Sequence, residues 1–172
     1  MTYWIYEKLG IISLFESMTE EGVIIVDVRD ISDVEKDVYK VMRKINIIAS
    51  LLCVGERVAV RCIAGMNRSC AVALGVICYM GAKEGDVDKT WDHHYKNIKE
   101  KVPRMMITPE LERTIKTALH QLDGRYRKHC IICGATDTLY ECSECKRIIC
   151  HRELASNNPN LCSGCFEKYR KV

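Results

Sequence analysis

No run of this chain approaches the ~20 consecutive apolar residues that a membrane-spanning helix needs, so no span and no membrane partner are expected. The N-terminus has no basic stretch followed by an apolar core, so no secretory signal is expected either. Strong charge of one sign is missing: 26 Lys and Arg stand against 23 Asp and Glu, net +3, too little to argue for nucleic acid by itself. Aromatic residues are few, at 7%. There is no internal repeat and no low-complexity tract, which excludes repeat arrays.

Apolar residues and cysteine are present in quantity. The hydrophobic share of 48% can fill the core of one medium domain without staples. Eleven cysteines in a chain without an export signal point to thiols, metal and catalysis in a reducing, cytoplasmic setting rather than to disulfides. They are unevenly spread, with seven of them at Cys130 and beyond. Residues 124–172 also carry nine Lys and Arg against five Asp and Glu, a basicity that zinc-bound thiolates would largely cancel.

Residues 1–122 read as an α/β domain with a central, mostly parallel sheet flanked by helices. Thr2–Tyr6 is expected as a short edge strand, with Trp4 anchored in the core. Ser13–Glu21 is expected as a helix, Ser13 capping it and Glu16 completing a capping box. Val23–Val26 reads as a strand buried on both faces and running on through Asp27–Asp30. Val34–Cys53 has helical spacing, with Asp33 as cap and Gly55 as stop. Val58–Val60 is a second buried strand. Helices are predicted over Ser69–Tyr79, over Asp86–Lys101, and from Thr108-Pro109 to Leu122. A polar linker, 123–129, separates this domain from residues 130–172.

The stretch Val58-Ala59-Val60-Arg61-Cys62-Ile63-Ala64-Gly65-Met66-Asn67-Arg68-Ser69 organises the first domain. A loop wrapped between a strand and a helix can point its N–H groups inward and bind a tetrahedral dianion. Gly65 lets the backbone turn and approach closely. Arg68 offers a planar fork for two phosphate oxygens. Cys62 sits in a positive field that should lower its thiol pKa and place a thiolate for in-line attack. Ser69 can donate to the departing thiolate. The loop residues Ile63, Ala64, Gly65, Met66, Asn67 and Arg68 would hold the phosphoryl group. An acid must protonate the leaving oxygen, and the candidates are Asp27, Asp30 and Asp33, with Asp30 preferred and Asp33 second.

This loop resembles the signature loop of the cysteine-dependent protein tyrosine phosphatase superfamily, in its small dual-specificity branch. Trp4-Ile5 through Leu9-Gly10, Ile77–Met80, and the segments around Val102-Pro103 and Thr108-Pro109 extend the resemblance over residues 1–122. It implies a thiolate nucleophile, an Arg phosphate clamp, an Asp acid and no metal in catalysis. Arg61 stands where the family usually has histidine. From Val28 to Cys62 the chain reads one strand short of the family pattern, with one strand, Val23–Val28, serving both roles. No deep-pocket recognition loop is visible, which implies a shallow site admitting phosphoserine and phosphothreonine as well as phosphotyrosine. A phosphorylated protein is the expected substrate. An RNA 5′-triphosphatase and a silent phosphate-binding adaptor remain open as alternatives.

In the tail, Cys130/Cys133, Cys142/Cys145 and Cys162/Cys165 form three Cys-x2-Cys pairs, and Cys150 is followed by His151. Each pair lets two thiolates reach one tetrahedral metal, so two structural Zn²⁺ ions are expected. The eighth ligand is open between His151, His129 and Glu153. The pattern resembles treble-clef and RING-like zinc modules. It implies a stabilising module or a docking surface for protein or nucleic acid, folded by its metal.

Overall fold

The computed structural model describes residues 2–16, 20–81 and 87–122, together with short strands between 139 and 162. Four strands form the main sheet: β1 (Tyr3–Trp4), β2 (Leu9–Ser13), β3 (Val23–Asp27) and β4 (Arg57–Cys62). Their order is β1-β2-β4-β3; β1 runs antiparallel to β2, and both neighbours of β4 run parallel to it. Four helices complete the α/β fold: α1 (Val38–Cys53), α2 (Arg68–Gly81), α3 (Val87–Lys101) and α4 (Pro109–Gln121).

The core lies around β4 and α2. Val58, Ala59, Val60 and Cys62 of β4 are buried, as their continuous apolar run demands of a strand covered on both faces. Every residue of α2 from Ser69 to Met80 is buried, since β2, β4, α1, α3 and α4 all pack on it. Gly75 permits this. A Cβ there would stand 2.9 Å from Ile115 of α4 and 3.0 Å from Ile45 of α1. Gly55 ends α1 with φ +88, its N–H donating to Leu52 O.

Four expectations are corrected. Leu9–Ser13 is a strand, and no helix occupies the described part of Ser13–Glu21. Leu9–Ile12 are all buried, between β1 and β4. The Ser13/Glu16 pair does form: the Ser13 N–H donates to Glu16 Oε2 at 3.1 Å, but this closes a turn after the strand. β2 was thus not among the strands expected, and between Val28 and Cys62 the chain forms only α1 and β4. Second, β3 is the sheet's outer strand rather than one buried on both faces, and Ile24 is exposed. Third, Trp4 is half-buried; its indole N–H donates to Glu20 and its ring lies under the Arg57 guanidinium, 4.4 Å away. Fourth, α1 begins at Val38, and Asp37 caps it by accepting from the Lys40 N–H at 3.0 Å. Asp33 is thus not used as a cap.

Beyond residue 122, β5 (Leu139–Glu141) pairs antiparallel with β6 (Ile148–Cys150), and β7 (Leu154–Ala155) with β8 (Asn158–Cys162). Cys150 and Cys162 fall on β6 and β8. Linker 123–129, Cys130, Cys133, Cys142, Cys145, His151, Cys165, and the alternatives His129 and Glu153 lie outside the described residues. Among the described residues, no cluster of His, Cys, Asp or Glu could hold a metal ion. No helix among them is long and apolar enough to cross a membrane.

Candidate active site

Cys62 ends β4, and Arg68 begins α2. The five residues between them form the loop expected from the sequence. The Cys62 side chain is 2% exposed. Its Sγ is 3.2 Å from Ser69 Oγ, and the Gly65 N–H donates to it at 3.2 Å. Burial pushes the thiol up. The Ser69 hydroxyl and the backbone N–H groups of Ser69, Gly65 and Met66 outweigh it and hold Cys62 below the ordinary thiol value of 9.0. Cys53, Cys70 and Cys78 go the opposite way: burial raises Cys53 to about 11 and Cys70 to about 12, and raises Cys78 as well.

Gly65 makes the turn at φ +68. A Cβ on it would stand 3.2 Å from Ser13 N and 3.4 Å from Ile12 C, backbone atoms that cannot swing aside. Gly65→Ala should therefore lose about 1–2 kcal/mol of stability and displace an N–H that serves the thiolate. Urea unfolding checks the first effect. The pH dependence of iodoacetamide labelling at Cys62 checks the second, with the labelling midpoint expected to rise.

The loop is pinned on both flanks. The Leu14 N–H donates to Ile63 O at 3.1 Å, and the Met106 N–H to Met66 O at 3.0 Å. Ile63 and Ala64 are exposed, while Met66, Asn67 and Arg68 are half-buried. Arg68 Nη1 donates to Arg29 O at 3.3 Å and Ile31 O at 3.2 Å, and its Nε lies 3.3 Å from Asp33 Oδ1. Asn67 Nδ2 donates to the same Asp33 oxygen at 2.9 Å. Asn67 Oδ1 accepts from the Thr108 N–H at 3.3 Å, and the Thr108 hydroxyl donates to Asp33 O.

The three candidate acids are thereby separated. Asp27 lies opposite Arg61 in the β3–β4 register; its carboxylate accepts from Arg61 at 2.9 Å and from Arg29 at 2.9 Å. Partial burial raises Asp27, but these partners and the Arg29 N–H hold it at about 2, below the usual 3.8. Both of its oxygens are engaged by Arg29 and Arg61. Arg61 ties the ends of β3 and β4 together through Asp27. Asp30 turns away, its Oδ1 3.0 Å from Lys44 Nζ of α1 and its side chain 53% exposed. Asp33 is the carboxylate brought to Arg68 and Asn67.

No family model, no curated protein and no solved structure matches this chain.

One residue that shapes the site was absent from the sequence reading. Glu35 is a buried carboxylate that accepts from the N–H groups of Ser32, Lys36 and Asp37 and from Lys40 Nζ at 3.0 Å. Its own carbonyl accepts from Thr114 of α4. It folds the 28–37 segment that carries Asp33. The signal was present as a second S-x-x-E box, Ser32 to Glu35. Burial raises Glu35, but these donors hold it at about 2, below the usual 4.5. A depressed carboxyl stabilises the fold above its unfolded value and loses that contribution as pH falls toward its folded value. Glu35→Ala should cost about 2–3 kcal/mol at pH 7. In urea titrations across pH, that deficit should shrink between pH 4.5 and about 2.

Proposed function

We propose that residues 1–122 form a phosphatase of the dual-specificity kind. It hydrolyses phosphotyrosine and phosphoserine or phosphothreonine in proteins through a phosphocysteine on Cys62. The observation that carries this reading is one loop combining a thiol held down by inward N–H groups with a guanidinium at the start of the following helix.

The chemistry follows from the residues. The N–H groups of the loop and the Arg68 guanidinium bind the phosphoryl oxygens. The Cys62 thiolate attacks phosphorus; the S–P bond forms as the P–O bond to the substrate breaks. An acid gives its proton to the leaving oxygen. Asp33 takes this role in preference to Asp30, since Asp30 is paired with Lys44 and Asp33 touches Arg68. The resulting carboxylate then takes a proton from water, whose oxygen attacks phosphorus. The S–P bond breaks, inorganic phosphate leaves, and Ser69 donates to the returning thiolate. The neutral side chains Ile63, Ala64, Met66 and Asn67 add no charge for a polyanionic substrate.

Turnover of phosphotyrosyl and phosphoseryl peptides, run beside triphosphorylated RNA, tests the reading. Peptide turnover is expected. RNA turnover without peptide turnover would favour the 5′-triphosphatase, and binding of phosphate without any turnover the adaptor. For residues 130–172 the proposal remains two structural Zn²⁺ ions held by Cys130, Cys133, Cys142, Cys145, Cys150, Cys162, Cys165 and His151. Elemental analysis should find close to two per chain.

A further inference from the structure

A groove of about 630 Å³ runs along the outer flank of the Cys62–Arg68 loop. Ala64 and Met66 of the loop line it, together with Tyr3, Phe15, Pro103 and Arg104 among others. The groove and the phosphate loop thus share residues, so a substrate chain seated in the loop has this groove beside it. Phe15 is 82% exposed and Tyr3 is exposed as well, which is costly for large rings unless something covers them. The backbone beside the groove is held to the loop. Leu14, beside Phe15, is held to Ile63 O, and Met106, two residues past Arg104, is held to Met66 O.

The charges of the groove narrow the occupant. It holds Glu16 and Arg104. The Glu16 carboxylate accepts from the Ser13 N–H and so closes the turn under Phe15. Arg104 is exposed and has no ion-pair partner among the described residues. A nucleic acid strand would need a row of cations along its backbone. Among its described lining residues the groove offers one guanidinium, beside the rings of Tyr3 and Phe15.

We infer that this groove is the specificity site for a phosphopeptide. A large apolar side chain next to the phosphorylated residue lies against Phe15 and Met66, and an acidic side chain beyond it pairs with Arg104. The inference rests on the phosphatase reading and names the substrate of that same loop.

The test uses the full chain, four phosphopeptides and a small aryl phosphate. The peptides carry Leu or Gly beside the phosphorylated residue, and Glu or Lys beyond it. The Leu/Glu peptide should have the highest kcat/KM. Phe15→Ala should lower kcat/KM for the Leu peptides about ten-fold, through KM, the factor one partly covered aromatic contact supplies. It should leave the Gly peptides and the aryl phosphate unchanged. Arg104→Glu should reverse the preference between Glu and Lys. Equal losses on all peptides, no loss on any, or a 5′-phosphorylated oligonucleotide outcompeting every peptide would overturn the groove assignment. Titration of the same peptides into Cys62→Ser reads the groove without turnover. A wild-type chain inert toward the aryl phosphate, with the peptide preference intact in Cys62→Ser, would sink the phosphatase reading and leave the groove standing.

Discussion

Replacing Cys62 by serine is expected to lower phosphopeptide turnover by about 10⁴-fold or more, while phosphate still binds. The two effects separate because the roles separate. In the proposed reaction sulfur is the nucleophile, and its anion is favoured by donors already aimed at it from Gly65, Met66 and Ser69. A serine hydroxyl in the same place is far harder to ionise, so the S–P bond has no workable replacement. The proposed phosphate pocket consists of the loop backbone and Arg68, neither of which the substitution removes. Binding of inorganic phosphate, read by its protection of the fold against urea, should remain within about a few-fold of wild type. Retained turnover would show that Cys62 is not the nucleophile. Lost binding would show that the loop geometry that holds the anion depends on the Cys62 side chain.

The second large effect concerns the acid. Asp33→Asn should slow hydrolysis of phosphoserine peptides by about 10²–10³-fold. Aryl phosphates with good leaving groups, which depart without a proton, should lose much less. Asn preserves the acceptor oxygen that meets Asn67 and Arg68, so the site geometry is kept and only the proton is removed. Asp30→Asn should cost little by comparison, because its carboxylate serves Lys44. The reverse ranking would mean that the 28–37 segment rearranges when substrate binds and delivers Asp30 instead.

How much of this was legible beforehand depends on how local the information is. The Cys62–Ser69 loop, the buried strand before it and the apolar helix after it were readable because each is specified by its own residues. The Pro109 start of α4 and the Gly55 stop of α1 were readable for the same reason. β2 was not. Ser13 and Glu16 satisfy a helix-start rule locally, and the neighbours on either side make Leu9–Ser13 a strand. β3 was recognised as a strand, but its place at the sheet edge is set by β4 and cannot be read from Val23–Val26. The choice between Asp30 and Asp33 is tertiary as well. Lys44 comes from α1 and Asn67 from the loop, 34 residues from Asp33. Glu35 shows the same limit, as its partner Thr114 is 79 residues away. The zinc ligands expected in residues 130–172 fall largely outside the described residues.

The central claim is that phosphoryl passes through Cys62, and the most direct measurement is to catch it there. The full chain is mixed with a phosphotyrosyl substrate, quenched in acid within the first turnover, digested and mapped by mass spectrometry. A phosphoryl group on the peptide containing Cys62, absent from Cys62→Ser, is the predicted result. Turnover that proceeds with phosphoryl on another side chain, or with none on the protein at any quench time while phosphate is released, would contradict it.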